Sequence, residues 1–531
     1  MGQDESVCEL EAAQGGRSDV FGNEDEHDIR YKTLSWQFVS ALMIAEIVSN
    51  GMLTLPNAMA VVGIIPSVIL TVFLGIFALW TAKLLIDFKH NHPEVHNMGD
   101  AGFIMFGPIG REVFSIGSII FAIFAVGAVI LSGQQALSVL SDNGLCATIL
   151  LAIFSAATFV LSLPRTLAHL SWLGLLSASF IALCGLLAMV GAGANPVPGR
   201  IVVTTVPTNF YQAFLAITGP VFSYAGHFMF FVLISEMRRP QDAMKAACVL
   251  QGFATTFYAV FSVVVYAYIG STVASPALFS LPPVWAKITF GVGMVNFLIT
   301  GAIYAHTAAK LVFIRLFRGT QHVYTHTILG WTTWVSLCFA SVGVAFVLAS
   351  AVPIFPDLTG ITASLFASWY TYGVAGFFWL YDAFHLKGGL DALKRRWFGT
   401  TLAVATVLAG AFICLAHYRL LARTNPARLL RDRESSVVYT QDERHRNSPR
   451  ARHYYELPER MPGILRDATG IEDVEMVGAE GLLAGGLDKM VNESEGEEFE
   501  PWVEKCLEVG TDEDEYGWRM ADHVVGIALK P

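Results

Sequence analysis

Two short stretches place together residue types that a membrane-crossing helix does not ordinarily hold. The first reads Glu46-Ile47-Val48-Ser49-Asn50-Gly51-Met52-Leu53-Thr54-Leu55-Pro56, and the second Phe222-Ser223-Tyr224-Ala225-Gly226-His227-Phe228. Each sets a glycine, hydroxyl groups and an ionisable side chain inside a long apolar run. The chemistry this suits is binding rather than bond-making. Gly51 lets backbone approach a ligand closely. Pro56 has no N–H to give to residue 52, which is expected to leave the Met52 carbonyl free. Ser49, Asn50 and Thr54 can satisfy backbone groups locally. A half-helix starting near Leu53 would turn its positive dipole end toward a carboxylate. In the second stretch, the unwound carbonyls beside Gly226 could hold an ammonium group, with Tyr224, His227 and Phe228 around it. The candidate binding residues are therefore Ser49, Asn50, Gly51, Met52 and Leu53 with Tyr224, Ala225, Gly226, His227 and Phe228. Taken singly, each has a plainer reading, a proline kink for the first stretch and a histidine satisfied by a neighbouring helix for the second.

Glu46 stands just before the first stretch. A carboxylate at membrane depth is costly unless protonated, paired or wetted, so Glu46 and His227 are the candidates to carry a coupled proton. Pro56 and Glu236 read as structural or gating residues, Glu236 standing beside Arg238 and Arg239. Gln134, Gln135, Asn296, Tyr304 and His306 are polar groups in apolar runs and read as hydrogen bonders between helices. The run His90-Asn91-His92-Pro93-Glu94-Val95-His96 matches no metal-ligand spacing and reads as a solvated loop.

These residues need a membrane to give them their meaning. The chain has 531 residues, 54% hydrophobic and 15% charged, against about 25% charge in soluble proteins. Val113–Leu140 carries no charge over a length that exceeds the roughly 20 residues needed to cross a hydrocarbon core. Eleven such spans are expected, at 36–60, 64–87, 113–138, 145–163, 168–193, 210–235, 246–271, 284–316, 328–351, 357–381 and 398–417. With the N-terminus in the cytoplasm, inner segments hold nearly all the Lys and Arg, among them Lys32, Lys89, Arg165, Arg238, Lys310, Arg318 and Arg396. The outer segments before span 11 hold only Arg200 and Lys287. That asymmetry fixes the orientation, although Arg419, Arg423 and Arg428 then follow span 11 on the outside. Residues 1–33 read as an acidic, disordered cytoplasmic tail, 34–417 as the membrane domain, and 418–531 as a largely disordered tail. The seven cysteines form no CxxC pair and read as packing residues. No cofactor, metal or nucleic acid is expected. The coupling ion is a proton, with Na⁺ as the alternative.

Because backbone polar groups must be satisfied within the bilayer, a broken helix there is tolerated where it lines a cavity. Two breaks five spans apart point to a transporter site at the midplane. The run Glu46 to Pro56 resembles the first-span signature of the amino acid/auxin permease family. Phe222 to His227, followed by Ser235-Glu236-Met237, resembles its sixth span. Pro93-Glu94-Val95-His96-Asn97-Met98-Gly99-Asp100-Ala101 is similar to a loop of the fungal neutral amino acid (N-system) branch. The resemblance covers residues 30–417. It implies an all-α polytopic membrane protein of about 11 helices, a five-plus-five inverted repeat with helices 1 and 6 broken. It also implies proton-coupled uptake of amino acids across the plasma membrane, with the amino acid and the lipid bilayer as partners. Asn50 departs from the small or aliphatic residue common at its position. The alternative is an amino acid receptor that kept the fold and lost transport; an enzyme is not expected, since no set of His, Asp or Glu converges near one membrane face.

Overall fold

The computed structural model describes residues 29, 31–208, 210–318 and 320–423, and two short antiparallel strands, Glu475–Met476 and Ile527–Ala528. The membrane unit ends at Leu420. Most of the two tails expected to be disordered lies outside the described residues, but residues 418–423 continue the last helix and Glu475–Met476 pairs with Ile527–Ala528. Ile29 and Tyr31 are buried, so the end of the expected 1–33 tail is packed against the membrane unit.

The eleven spans are all helical. Span 1 is Trp36–Ile47 and Leu55–Val62 on either side of a tight turn, Asn50–Thr54. Span 2 is Ile64–Asn91, and span 3 is the inner part of Met98–Leu140, which kinks where Gly107 takes φ 68° ahead of Pro108. Span 4 is Ala147–Ser162 and span 5 Leu167–Ala194. Span 6 is Phe210–Ser223 and Phe230–Ser235, joined through His227–Met229. Spans 7, 8 and 9 are Ala243–Ile269, Pro283–Phe317 and Ile328–Ala351. Span 10 starts as Phe355–Thr362, winds more widely over Ala363–Gly373 and resumes as Val374–His385. Span 11 is Trp397–Arg423. Among the described residues nine helices are long and apolar enough to cross a membrane.

Burial separates the spans into a centre and a wall. The most apolar windows of spans 1 and 6 are 89% and 83% buried, against 33% for spans 2, 5 and 9. The two broken spans are therefore the innermost. The wall presents Ile69, Phe73, Ile76, Val347 and Leu408 outward, as lipid-facing helices do.

One end of the unit is closed by polar contacts. Lys310 of span 8 pairs with Glu236 at the end of span 6, both wholly buried, and its ammonium also lies 4.6 Å from the centre of the Tyr31 ring. The N-terminal segment is sewn to the same place, since Leu34 N–H donates to the Glu236 carbonyl at 3.0 Å and Arg238 N–H to the Leu34 carbonyl at 2.8 Å. Glu236 thus pairs across to span 8 rather than with its sequence neighbours Arg238 and Arg239. An unpartnered charge at such depth would cost several kcal/mol, which is why the lysine and the glutamate come together. The run His90 to His96 is not a solvated loop either: His92 is 2% and His96 0% exposed. Its polar residues suggest solvent, but spans 2, 3, 8 and 10 converge over it.

Candidate functional site

The two breaks touch. A methyl group on Gly51 would stand 2.9 Å from Ser223 Cα, and one on Gly226 would stand 2.5 Å from Ile47 Cγ1 and 3.0 Å from Glu46 Oε1. At Gly51 the neighbour is backbone, so glycine there lets the broken chains cross this closely; at Gly226 the neighbours are the side chains of Ile47 and Glu46. Hydroxyl groups finish the joint. Ser223 Oγ donates to the Gly51 carbonyl at 2.7 Å, and Thr54 Oγ1 to the same carbonyl at 2.8 Å. The Met52 carbonyl, expected to be free, instead accepts from Leu55 N–H. The turn winds tightly enough to bond three residues on, so Pro56 opens no vacancy there.

Beyond the turn, span 8 supplies a stripe at helical spacing. Asn296 Oδ1 accepts from Ser49 Oγ at 2.7 Å, and its Nδ2 donates to the Ala45 carbonyl at 3.2 Å and to Ser177 Oγ at 2.8 Å. Thr300 Oγ1 donates to the Ala45 carbonyl at 2.7 Å, and Tyr304 Oη to the Glu46 carbonyl at 3.4 Å. Residues 296, 300 and 304 lie one above another on one helix face, a spacing legible in the sequence once they are read together. Asn50 Nδ2 reaches Ser132 Oγ of span 3 at 3.4 Å, which gives the unusual asparagine a partner.

Tyr258 of span 7 was not singled out by sequence, and it joins the breaks most directly. Its hydroxyl lies 2.9 Å from the Ile47 carbonyl and 2.7 Å from the Ser223 carbonyl. One hydroxyl hydrogen serves two acceptors, so the crossing is short of donors by one. Tyr258→Phe should slow transport about tenfold, the kinetic equivalent of about 1.4 kcal/mol and a typical worth for one buried hydrogen bond. Initial rates of uptake per surface molecule check this; an unchanged rate removes Tyr258 from the site.

The sequence-predicted residues divide into two groups. Ser49, Asn50, Gly51 and Ala225–Gly226 lie at the crossing, and Phe228 faces Phe121 of span 3 and Tyr304 of span 8, ring centres 4.6 and 6.1 Å apart. Met52 turns away, its Cε 3.6 Å from the place a Cβ would take at Gly185 of span 5. Tyr224 and His227 both turn to span 2. Tyr224 Oη donates to the Thr71 carbonyl at 2.9 Å, and His227 Nε2 lies 2.9 Å from the Ala78 carbonyl, with its ring stacked on Phe230. A carbonyl only accepts, so Nε2 carries the hydrogen there. Span 10 reaches the joint through Thr371, whose Oγ1 accepts from Gly226 N–H at 3.4 Å.

Glu46 is 2% exposed. Its carboxyl lies against Gly226, and neither oxygen makes a hydrogen bond of ordinary geometry among the described residues. The Tyr304 hydroxyl donates to the backbone oxygen of the same residue at 3.4 Å and also lies within reach of the carboxyl. The crossing therefore combines surplus carbonyl acceptors, the N–H groups of a tight turn and one buried carboxyl group beside the Tyr304 hydroxyl.

A family model described as transmembrane amino acid transporter protein matches residues 32–419. The N amino acid transport system protein of Neurospora crassa is 30% identical over 379 residues, which is 70% of this chain and 81% of that protein. A transmembrane transporter of Gibberella moniliformis is 30% identical over 76% of this chain and 86% of its own length. Among solved structures, that of MhsT in complex with L-phenylalanine aligns with TM-score 0.50 at 13% identity, covering 74% of this chain and 99% of that one.

Proposed function

The chain belongs to the transmembrane amino acid transporter protein family, and we propose that it is a symporter that brings neutral amino acids, aliphatic and aromatic, into the cell with protons. The observation that carries this is the contact of the two breaks, with the Glu46 carboxyl lying against Gly226. N–H groups of the turn Asn50–Thr54 take the substrate carboxylate. The ammonium supplies the donor that the Ile47 and Ser223 carbonyls lack, since Tyr258 satisfies only one of them at a time. Phe121, Phe228 and Tyr304 offer an aromatic wall to the side chain, which suits an uncharged one. The naming of the Neurospora crassa relative as an N amino acid transport system protein supports an amino acid substrate.

Glu46 carries the proton. His227 is the weaker candidate because its Nε2 hydrogen is committed to span 2. Spans 1, 2, 6 and 7 rock against the others about the crossing, in the manner of broken-helix transporters. The protein lies in the plasma membrane with its N-terminal segment, and hence the Lys310–Glu236 pair, on the cytoplasmic side; the Lys and Arg distribution supports that orientation.

The test is uptake of labelled leucine, phenylalanine, arginine and glutamate by yeast lacking its own permeases. It is run at about pH 5 and about pH 7.5, which bracket the charge changes of carboxylates and imidazoles. Leucine and phenylalanine should accumulate, more at the acid pH, and a protonophore should abolish the accumulation. Uptake that follows a Na⁺ gradient would replace the coupling ion. A surface-localised protein that binds leucine and accumulates none of the four would be the receptor.

A further inference from the structure

The same end of the molecule holds another buried acid–base contact, and this one is built on a histidine, the side chain that proteins use as a switch near physiological pH. His92 caps span 2. Its Nε2 lies 2.9 Å from Asp382 Oδ1 near the end of span 10, and its Nδ1 lies 3.7 Å from Glu94 Oε1 in the loop that follows. The His92 and Asp382 side chains are 3% and 7% exposed. Phe88 and Tyr381 flank the imidazole, ring centres 4.4 and 6.0 Å away. Asp382 is held from its other side by Asn91 Nδ2 at 2.7 Å.

We propose that His92 is a proton-operated lock on this side of the protein, tying span 2 to span 10 more tightly when the facing compartment is acidic. The proposal rests on the reading that spans 2 and 10 move apart when this side opens, but not on the identity of the substrate or of the coupling ion. A neutral ring with its hydrogen on Nε2 makes one bond, to Asp382. A cationic ring turns that bond to the Asp382 carboxylate into an ion pair and gains a second N–H facing Glu94. Opening must break both. Acid on this side therefore holds it shut, and a transporter that delivers protons here would be slowed by its own product.

The other charged groups around His92 are engaged elsewhere. From span 2, Lys89 donates to the Pro93 and Val95 carbonyls at 2.8 and 2.5 Å, His90 meets the Pro240 carbonyl, and Lys83 pairs with Asp87 an exposed turn away. From the loop comes Glu94 itself, and also His96, whose imidazole is held well below its usual value by burial and by Lys310, Lys89 and Arg318. Burial and those three cations favour the neutral form of His96. Arg318 at the end of span 8 is engaged by Asp100 at 2.9 Å and by the Glu94 carbonyl at 3.3 Å. From span 10, His385 is exposed and bonded to the Tyr381 carbonyl. The groups in bonding range of the His92 ring nitrogens are thus two carboxylates.

The experiment uses the full chain in sealed vesicles with this face outward. Ser235→Cys, a buried position next to Glu236, reports opening through its labelling by a membrane-impermeant thiol reagent, read residue by residue by mass spectrometry. The rate is measured with His92 and with His92→Gln, which keeps a donor for Asp382 but cannot gain a charge. The readings are taken at about pH 7.5 and about pH 6, across which histidines change charge. The ratio of the two rates at each pH cancels the intrinsic pH dependence of the thiol. We expect the two proteins to label alike at the higher pH, which also shows the variant to be folded, and the Gln form to label several-fold faster at the lower. Asp382→Asn should behave as His92→Gln does. A ratio that stays constant between the two pH values overturns the lock. Counterflow of labelled leucine in the same vesicles, with equal pH on both sides, tests the transport reading separately. Its absence beside a pH-dependent labelling ratio would remove the transporter and leave the lock standing.

Discussion

Gly51→Leu should lower uptake to about 1% of wild type in a protein that still reaches the cell surface. The neighbour that a Cβ would meet at 2.9 Å is the Ser223 α-carbon, which is backbone and cannot turn aside as a side chain would. Overpacking a well-filled interior costs about 1–3 kcal/mol, and here the strain falls on the joint between the broken helices. A cost of about 3 kcal/mol placed on the transport cycle is about a hundredfold in rate. Gly51→Ala should fall between. Gly252 of span 7 provides the control: a Cβ there would meet nothing within 4 Å, and Gly252→Ala should transport normally. The readout is initial uptake of labelled leucine divided by surface-labelled protein. If Gly51→Leu and Gly252→Ala transport alike, the crossing is not the site.

The same residues show what a sequence discloses and what it withholds. Gly51, Pro56 and Gly226 announce the breaks because each violates the rule that a helix in lipid satisfies its own backbone. The spans are legible for the same reason, since their length and lack of charge have no soluble explanation. What the breaks bond to is tertiary. Nothing local distinguishes Tyr258, which bridges them, from Tyr266 or Tyr268 in the same helix. The expectation for the Met52 carbonyl failed because proline removes a donor without dictating how the turn rewinds, and the Leu55 N–H was there to replace it. His227 and Tyr224 stand at the right depth, but side-chain direction sends both to span 2. Glu236 and His92 needed partners 74 and 290 residues away, which no window of sequence brings into view.

Glu46→Gln should abolish accumulation while sparing exchange. Glutamine keeps the volume of the carboxyl group beside Gly226 and resembles its protonated form, but it cannot release a proton. A carrier frozen in the loaded form still shuttles substrate both ways, so counterflow of labelled leucine should stay within about threefold of wild type, a change no larger than about 0.65 kcal/mol in the barrier. The empty return step, which in a symporter requires the proton to have left, should fail. Accumulation against a gradient should then vanish, and with it the rise of uptake at acid external pH. His227→Gln offers the contrast. Its amide can still donate to the Ala78 carbonyl that His227 now bonds, so it should retain protonophore-sensitive accumulation. The two variants assign the proton between the two candidates on one pair of measurements. Accumulation that survives in Glu46→Gln and disappears in His227→Gln would transfer the role to the histidine, and would require its Nε2 hydrogen to leave span 2 during the cycle. Accumulation that survives in both would place the coupling outside these two groups, the carboxyl and the imidazole carried by the two breaks.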